Sequence, residues 1–263
     1  GRIGGTAAKL FNALGAKVSV INHQPDGINI NHNCGSTHPE VIQAYVKEVG
    51  ASIGITHDGD ADRVLAVDEQ GNLVDGDHIL AICGLQMLAE DRLPTKKIAA
   101  TVYSNGGLKQ AMKQAGGGVV TTANGDRYVL EAMLEQGMVL GGEQSGHVIF
   151  LEHNTTGDGI ITALQLLSVI VKTQKPLSEL AKVMPVFPQT LVNVRVASKQ
   201  GWEDNPKIKA AISEAETRLG EQGRIFVRAS GTEPVIRVMG EYPDQEIVDQ
   251  VVNQVVDVIR AEQ

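Results

Sequence analysis

From residue 7 to about residue 173, short strand-like apolar runs alternate with amphipathic helix-like ones, and this alternation limits the fold more than any other feature. Residues 7–14 read as an amphipathic helix, 18–21 as a strand, and 39–49 as a helix opened by Ser36 and Thr37 as caps. Residues 52–56 form a buried strand, and 64–67 form another that ends at the turn Glu69-Gln70-Gly71-Asn72. A long helix over 77–89 leads through a polar breaker at 91–95. The second round predicts strands over 97–102, 119–122, 138–140 and 148–150, with helices over 107–115, 127–136 and 159–173. Alternation of this kind predicts parallel sheets flanked by helices.

The pattern changes at Met184-Pro185-Val186-Phe187-Pro188, where two closely spaced prolines mark a linker. Beyond it the order is strand 191–196, helix 207–219, strand 224–228, strand 235–241 and helix 245–261. The short turn 230–234 favours antiparallel pairing. The expected fold class is therefore α/β, with two three-layer α/β units followed by a smaller α+β unit. Their expected boundaries are 1–75, 76–184 and 189–263. The first unit is expected to be truncated, because Gly4-Gly5-Thr6 runs into a helix with no strand ahead of it.

Charge narrows the partners. Lys and Arg number 23 against 31 Asp and Glu, so the net charge is 23 − 31 = −8. Such a chain lacks the basic footprint that binding a phosphate backbone demands, which argues against nucleic acid. The apolar stretches fall short of about 20 residues, which argues against a bilayer span. Two cysteines, Cys34 and Cys83, cannot build a disulfide scaffold and point to a reducing compartment, the cytoplasm.

Three polar loops carry chemistry. In Asp58-Gly59-Asp60-Ala61-Asp62-Arg63, three carboxylates at alternate positions after an apolar strand can converge on one hard cation. An EF-hand is a poor fit, since Arg63 stands where that loop needs Gly and strands rather than helices flank it. The second loop, Gly141-Gly142-Glu143-Gln144-Ser145-Gly146-His147, again follows a strand, where open α/β sheets bind ligands. Its Glu, Gln, Ser and His supply donors and acceptors for sugar hydroxyls. Its spacing does not match a nucleophile elbow. The third loop, Arg228-Ala229-Ser230-Gly231-Thr232-Glu233-Pro234-Val235-Ile236-Arg237, sets hydroxyls and backbone amides between two guanidinium forks, a cradle for phosphate. Weaker signals are Asp126, read equally well as a helix cap, and Thr155-Thr156-Gly157-Asp158 ahead of a long helix, read first as capping.

In this order the three loops resemble the α-D-phosphohexomutase superfamily across essentially the whole chain. The Gly-Glu-Gln-Ser-Gly-His form, Asp26-Gly27-Ile28-Asn29-Ile30-Asn31, Cys34-Gly35-Ser36-Thr37-His38-Pro39 and Gly125-Asp126-Arg127-Tyr128-Val129 resemble its phosphoglucosamine mutase branch. The resemblance implies interconversion of glucosamine 6-phosphate and glucosamine 1-phosphate through a phosphoserine and a bisphosphate intermediate. Mg²⁺ would be the metal, and glucosamine 1,6-bisphosphate the intermediate and activator. Asp58, Asp60 and Asp62 would hold the Mg²⁺, and Arg63 would face the reacting phosphate. Glu143 and Ser145 would bind sugar hydroxyls, and His147 would transfer a proton or position the site. Arg228, Ser230, Gly231, Thr232 and Arg237 would anchor the phosphate that is not reacting.

One departure matters. The superfamily's phosphoserine lies on a Thr-Ala-Ser-His-Asn-type loop in a first domain, and no such loop occurs here. The resemblance therefore implies a C-terminal portion that binds without turnover. Its partners would be a small-molecule sugar phosphate, the N-terminal part of the same protein and, as an open option, a second copy in a homodimer. Two alternatives stand beside it: a phosphomannomutase or phosphoglucomutase of the same superfamily, and a non-catalytic sugar-phosphate-binding module. A haloacid-dehalogenase-type phosphatase with Asp58 as nucleophile and Asp60 as acid would need a Thr/Ser, a Lys and an acidic pair that cannot be assigned.

Overall fold

The computed structural model describes residues 4–198, 200–230 and 233–262, which form two compact units dividing after Pro185. The first unit begins with helix α1 (Gly4–Ala13), an irregular segment over 16–21 and helix α2 (Pro39–Val49). Strands β1 (Ile53–His57), β2 (Val64–Asp68) and β3 (Leu73–Val74) then form an antiparallel sheet in the order β1-β2-β3. This differs from the parallel expectation, because β1 and β2 are joined by a six-residue loop, too short for a crossover. That loop is the acidic one. The β2–β3 turn closes on the buried carboxylate of Asp68, which accepts from the backbone N–H of Gln70 and Asn72.

The second sheet of this unit is built from β4 (Lys97–Thr101), β5 (Gly118–Thr122), β6 (Leu140–Gly142) and β7 (Val148–Phe150) in the order β5-β4-β6-β7. The first three are parallel and β7 is antiparallel. Ile98, Ala99, Ala100 and Leu140 are almost wholly buried, as expected for parallel strands covered on both faces. Around the sheet lie α3 (Gly76–Ala89), α4 (Gly106–Gln114), α5 (Asp126–Gln136) and α6 (Gly159–Thr173), followed by the short α7 (Leu177–Leu180), which the periodicity does not reveal. Helix α3 is apolar around most of its circumference and is buried accordingly, from Ile79 to Met87.

The second unit, 186–263, contains β8 (Gln189–Arg195), α8 (Pro206–Leu219), β9 (Arg224–Ala229), β10 (Val235–Glu241) and α9 (Gln245–Glu262). Its sheet is antiparallel in the order β8-β10-β9, as the turn 230–234 suggested. Val248, Val251, Val252, Val255, Val256 and Ile259 form one buried stripe of α9 at helical spacing, and α9 packs on α8, β8 and β10. The fold is thus mixed α/β with an α+β final unit, in agreement with the sequence. No helix among the described residues is long and apolar enough to cross a membrane.

Three local expectations fail. Residues 18–21 form no strand, because no backbone hydrogen bond among the described residues gives them a partner. Ser36 and Thr37 do not cap α2: its N-cap is His38, and the Thr37 hydroxyl donates to the carbonyl of Cys34. Asp126 is the first residue of α5 rather than its cap, which is Gly125.

Candidate functional site

The acidic loop is a hairpin connection, so both of its ends are held by one sheet. Asp58 Oδ1 accepts the Arg63 N–H at 3.2 Å, and Ala61 takes a left-handed φ of 67° that lets the chain double back. One oxygen from each of Asp58, Asp60 and Asp62 lies within 4.8 Å of the others. Partial burial, together with the neighbouring Asp60 and Asp62 carboxyls, pushes the Asp58 carboxyl up to about 6. The Asp58 carboxyl in turn holds exposed Asp60 below the usual range, with Arg63 adding to the effect. Asp62 Oδ1 is buried without a hydrogen-bond partner. Three hard oxygen donors, one of them orphaned, fit a small divalent cation. Arg63 is exposed beside them.

The second loop is clamped to the first. The Arg63–His147 bridge is flanked by Val64 N–H donating to the Gly146 carbonyl at 3.1 Å. His147 is buried, and Gly157 N–H donates to its Nε2 at 3.1 Å. Nε2 therefore carries no hydrogen, and Nδ1 donates to Asp62 Oδ2 at 3.0 Å. Both ring nitrogens are engaged. This geometry suits holding Asp62 in place, one of the two roles expected for His147. Gly159 N–H donates to the Ala61 carbonyl at 3.0 Å, so the start of α6 grips both loops. Asp158 caps α6 through the N–H groups of Ile160 and Ile161.

Two of these glycines are required by space. A Cβ on Gly157 would stand 2.6 Å from the His147 ring, and one on Gly159 would stand 2.4 Å from His57 Nδ1. His57 itself donates from Nδ1 to the Arg63 carbonyl at 3.2 Å, and burial holds it below the usual histidine range. The sequence favours a cap at 155–158 and carries no signal that ties Gly159 or His57 to the acidic loop. Only the juxtaposition of α6 with the acidic loop reveals them.

Glu143 is half-buried, with Oε1 accepting Gly125 N–H at 3.1 Å and Oε2 accepting the Ser145 hydroxyl at 3.0 Å. The Gly-Asp-Arg motif thus contributes a backbone amide rather than a side chain. Gln144 Nε2 donates to Asp75 Oδ2 at 3.2 Å, and its carbonyl accepts Gly76 N–H at 3.0 Å. The head of α3 is so close that a Cβ on Gly76 would collide with the Glu143 carbonyl at 2.0 Å. Asp75 also accepts from His78, whose side chain and backbone hold its carboxyl below the usual range despite burial.

In the second unit, Arg228 and Arg237 stand directly opposite each other on β9 and β10. Like charges in such a cross-strand pair repel unless an anion shares them. Arg237 also pairs with Glu233 at 3.1 Å, and buried Ser230 accepts the Glu233 N–H through its hydroxyl. Gly231 and Thr232 lie outside the described residues.

An acidic hairpin on a small antiparallel sheet, a largely parallel sheet that carries the Gly-Glu-Gln-Ser-Gly-His loop, and an antiparallel unit with facing arginines place the chain among mixed α/β proteins. Residues 75–187 match the family described as phosphoglucomutase/phosphomannomutase, alpha/beta/alpha domain III, and 191–258 match its C-terminal domain; the chain belongs to this phosphohexomutase family. Among individual relatives, it is 56% identical over 253 residues to the phosphoglucosamine mutase of Carboxydothermus hydrogenoformans. It is 52% identical over 256 residues to that of Bacillus subtilis. These matches cover 96% and 97% of this chain but 57% of either relative, so the chain spans little more than half of their length. A phosphoglucomutase/phosphomannomutase family protein of Burkholderia thailandensis superimposes with a TM-score of 0.78 at 25% identity, covering 98% of this chain and 58% of its own. The Aspergillus fumigatus N-acetylphosphoglucosamine mutase, in complex with GlcNAc-6P and magnesium, shares the fold with a TM-score of 0.73 at 22% identity, covering 97% and 63%.

Proposed function

We propose that this chain is the part of a phosphoglucosamine mutase that holds the metal, the sugar and the distal phosphate, with domain limits near 1–75, 76–184 and 189–263. The observation that carries the reading is the clamp of the acidic hairpin to the Glu143–His147 loop through Asp62, His147 and Gly157. It joins the loop of three hard oxygen donors to the loop of Glu143 and Ser145 through hydrogen bonds, which supports a shared site. The relatives named phosphoglucosamine mutase support the amino-sugar substrate, and the fungal mutase complex with magnesium supports Mg²⁺.

In this reading Asp58, Asp60 and Asp62 would hold Mg²⁺, which would supply charge neutralisation for a phosphoryl group. Arg63 faces the same phosphate, and Glu143 and Ser145 orient the sugar through its hydroxyls. His147 is a positioning residue that fixes Asp62. Arg228 and Arg237, with Ser230, Gly231 and Thr232, take the second phosphate. Phosphoryl transfer depends chiefly on such positioning and charge compensation. Covalent transfer also needs a phosphorylated side chain, and no residue of this chain fits that part. The setting is cytoplasmic, consistent with free Cys34 and Cys83.

The test is an assay of the purified chain with glucosamine 6-phosphate, Mg²⁺ and glucosamine 1,6-bisphosphate, beside the longer protein encoded with its upstream residues. The longer protein should form glucosamine 1-phosphate, and faster than it converts mannose or glucose phosphates. The chain alone should bind glucosamine 6-phosphate without turnover, and Arg228→Ala should weaken that binding at least tenfold. Turnover by the chain alone, or a preference of the longer protein for mannose 6-phosphate, would overturn the reading.

A further inference from the structure

Val194 of β8, Ile236 of β10 and Val227 of β9 belong to the cluster that α8 and α9 cover. Side chains alternate along each strand, so Asn193 and Arg195, Arg237, and Arg228 stand on the opposite face of the sheet. The register sets them side by side. Arg237 has Arg228 directly opposite it on one side and Asn193 on the other, and Arg195, opposite Val235, is one diagonal step from Arg237.

Partners on this face are unevenly shared. At its far end Arg224 is matched by the buried carboxylate of Glu241 at 2.9 Å. Near the 230–234 turn the carboxylate is exposed Glu233, 3.1 Å from Arg237. Arg237 Nε is buried without an acceptor. The side chains of Asn193 and Arg195 are exposed and have no partner among the described residues. Arg228 and Arg237, less Glu233, therefore offer at most one net positive charge. A phosphate monoester carries about −1.5 to −2 at pH 7, so one charge is wanting. Arg195 is the unpaired guanidinium close enough to supply it.

We propose that Asn193 and Arg195 of β8 belong to the phosphate cradle, which then spans all three strands rather than the 228–237 loop alone. Arg195 supplies the charge that favours a dianion over a monoanion, and Asn193 donates its amide to a phosphate oxygen beside Arg237. The inference rests on the phosphate reading of Arg228 and Arg237. It does not depend on which sugar carries the phosphate.

The probe is methyl phosphate, a monoester without a sugar, titrated into this chain while the amide signals of Ser230 and Arg237 are followed by NMR. Titrations are run at about pH 5 and about pH 8, on either side of the second ionisation at about 6. The parent should bind the dianion more tightly than the monoanion. Arg195→Ala should weaken binding roughly tenfold at the higher pH and little at the lower, whereas Arg195→Lys should keep the preference for the dianion. Asn193→Ala should weaken binding roughly threefold at both. Arg260→Ala removes the same charge from α9, across the sheet, and should change neither value. Parent-like affinity in Arg195→Ala at both pH values, with Arg228→Ala weakened, would overturn this inference alone. Parent-like affinity in Arg228→Ala would overturn the phosphate reading beneath it, and this inference with it.

Discussion

At the scale of single residues, two carboxyls have their titration set by burial. Asp58 is raised to about 6 by burial and the crowding of its neighbours, so a proton would compete with a cation bound there. Calorimetric titration with Mg²⁺ should give affinity that is level above pH 7 and falls up to tenfold per pH unit below about 6. Asp60→Asn should weaken Mg²⁺ binding at least tenfold; equal affinity in both proteins would remove these residues as ligands. Asp77, fully buried in α3, is raised to about 6, first by burial and then by the charge of Asp75, against the opposing hydrogen bond from Asn105 N–H. Its folded form holds a proton more tightly than the unfolded chain. The carboxyl therefore destabilises the fold progressively as pH rises from about 4 to 6, and fully above that. Asp77→Asn should be more stable than the parent at pH 8, by at most about 3 kcal/mol. The two should converge below pH 4, as urea unfolding at each pH would show.

Elements decide how those residues meet. The start of α6 supplies Gly157 N–H to His147 and Gly159 N–H to Ala61, and neither contact leaves room for a side chain. Gly157→Ala places a methyl against the His147 ring and the Asp62 carbonyl, contacts of 2.6 and 2.7 Å that must open. Overpacking of this kind costs about 1–3 kcal/mol, and here it should also loosen Asp62 and weaken Mg²⁺ binding. Gly5→Ala in α1 is the matched control, because its methyl meets nothing within 4 Å. That change should stabilise by about 0.5–1 kcal/mol through helix propensity and leave Mg²⁺ binding unchanged. Thermal melts and calorimetry on both variants separate a local clamp from a general loss of stability.

On the scale of the whole molecule, each compact unit has its own apolar interior: the first holds a buried cluster from Ala7 to Met184 and a smaller one of Ala99, Val129, Met133, Met138 and Ile149, and the second holds one from Val194 to Ile259. The two units should therefore unfold in two calorimetric transitions. Val252 is wholly buried over Gly240, and Val252→Ala should lower only the transition of 186–263, by roughly 10 °C. A shift of both transitions together would show that the cores are coupled.

Several features were legible from local pattern because local physics decides them. The helical stripe of α9, the turn Glu69-Gln70-Gly71-Asn72 after β2, the proline break between the units and the alternate carboxylates of Asp58, Asp60 and Asp62 each depend on neighbours in sequence. The antiparallel run of β1 and β2 is set by the six-residue loop between them, too short for a crossover, and this local length overrides the parallel expectation drawn from the wider alternation. The missing ladder at 18–21 was not legible, because strand propensity forms no strand without a partner. Nor did the sequence show that His147 holds Asp62, that Gln144 turns its amide to Asp75, or that Gly159 closes on the acidic loop. Those contacts join residues 62–147, 75–144 and 61–159, and only packing brings them within hydrogen-bond distance. Residue chemistry by itself determined what the loops can bind; the tertiary structure decided which of their atoms remain available to do so.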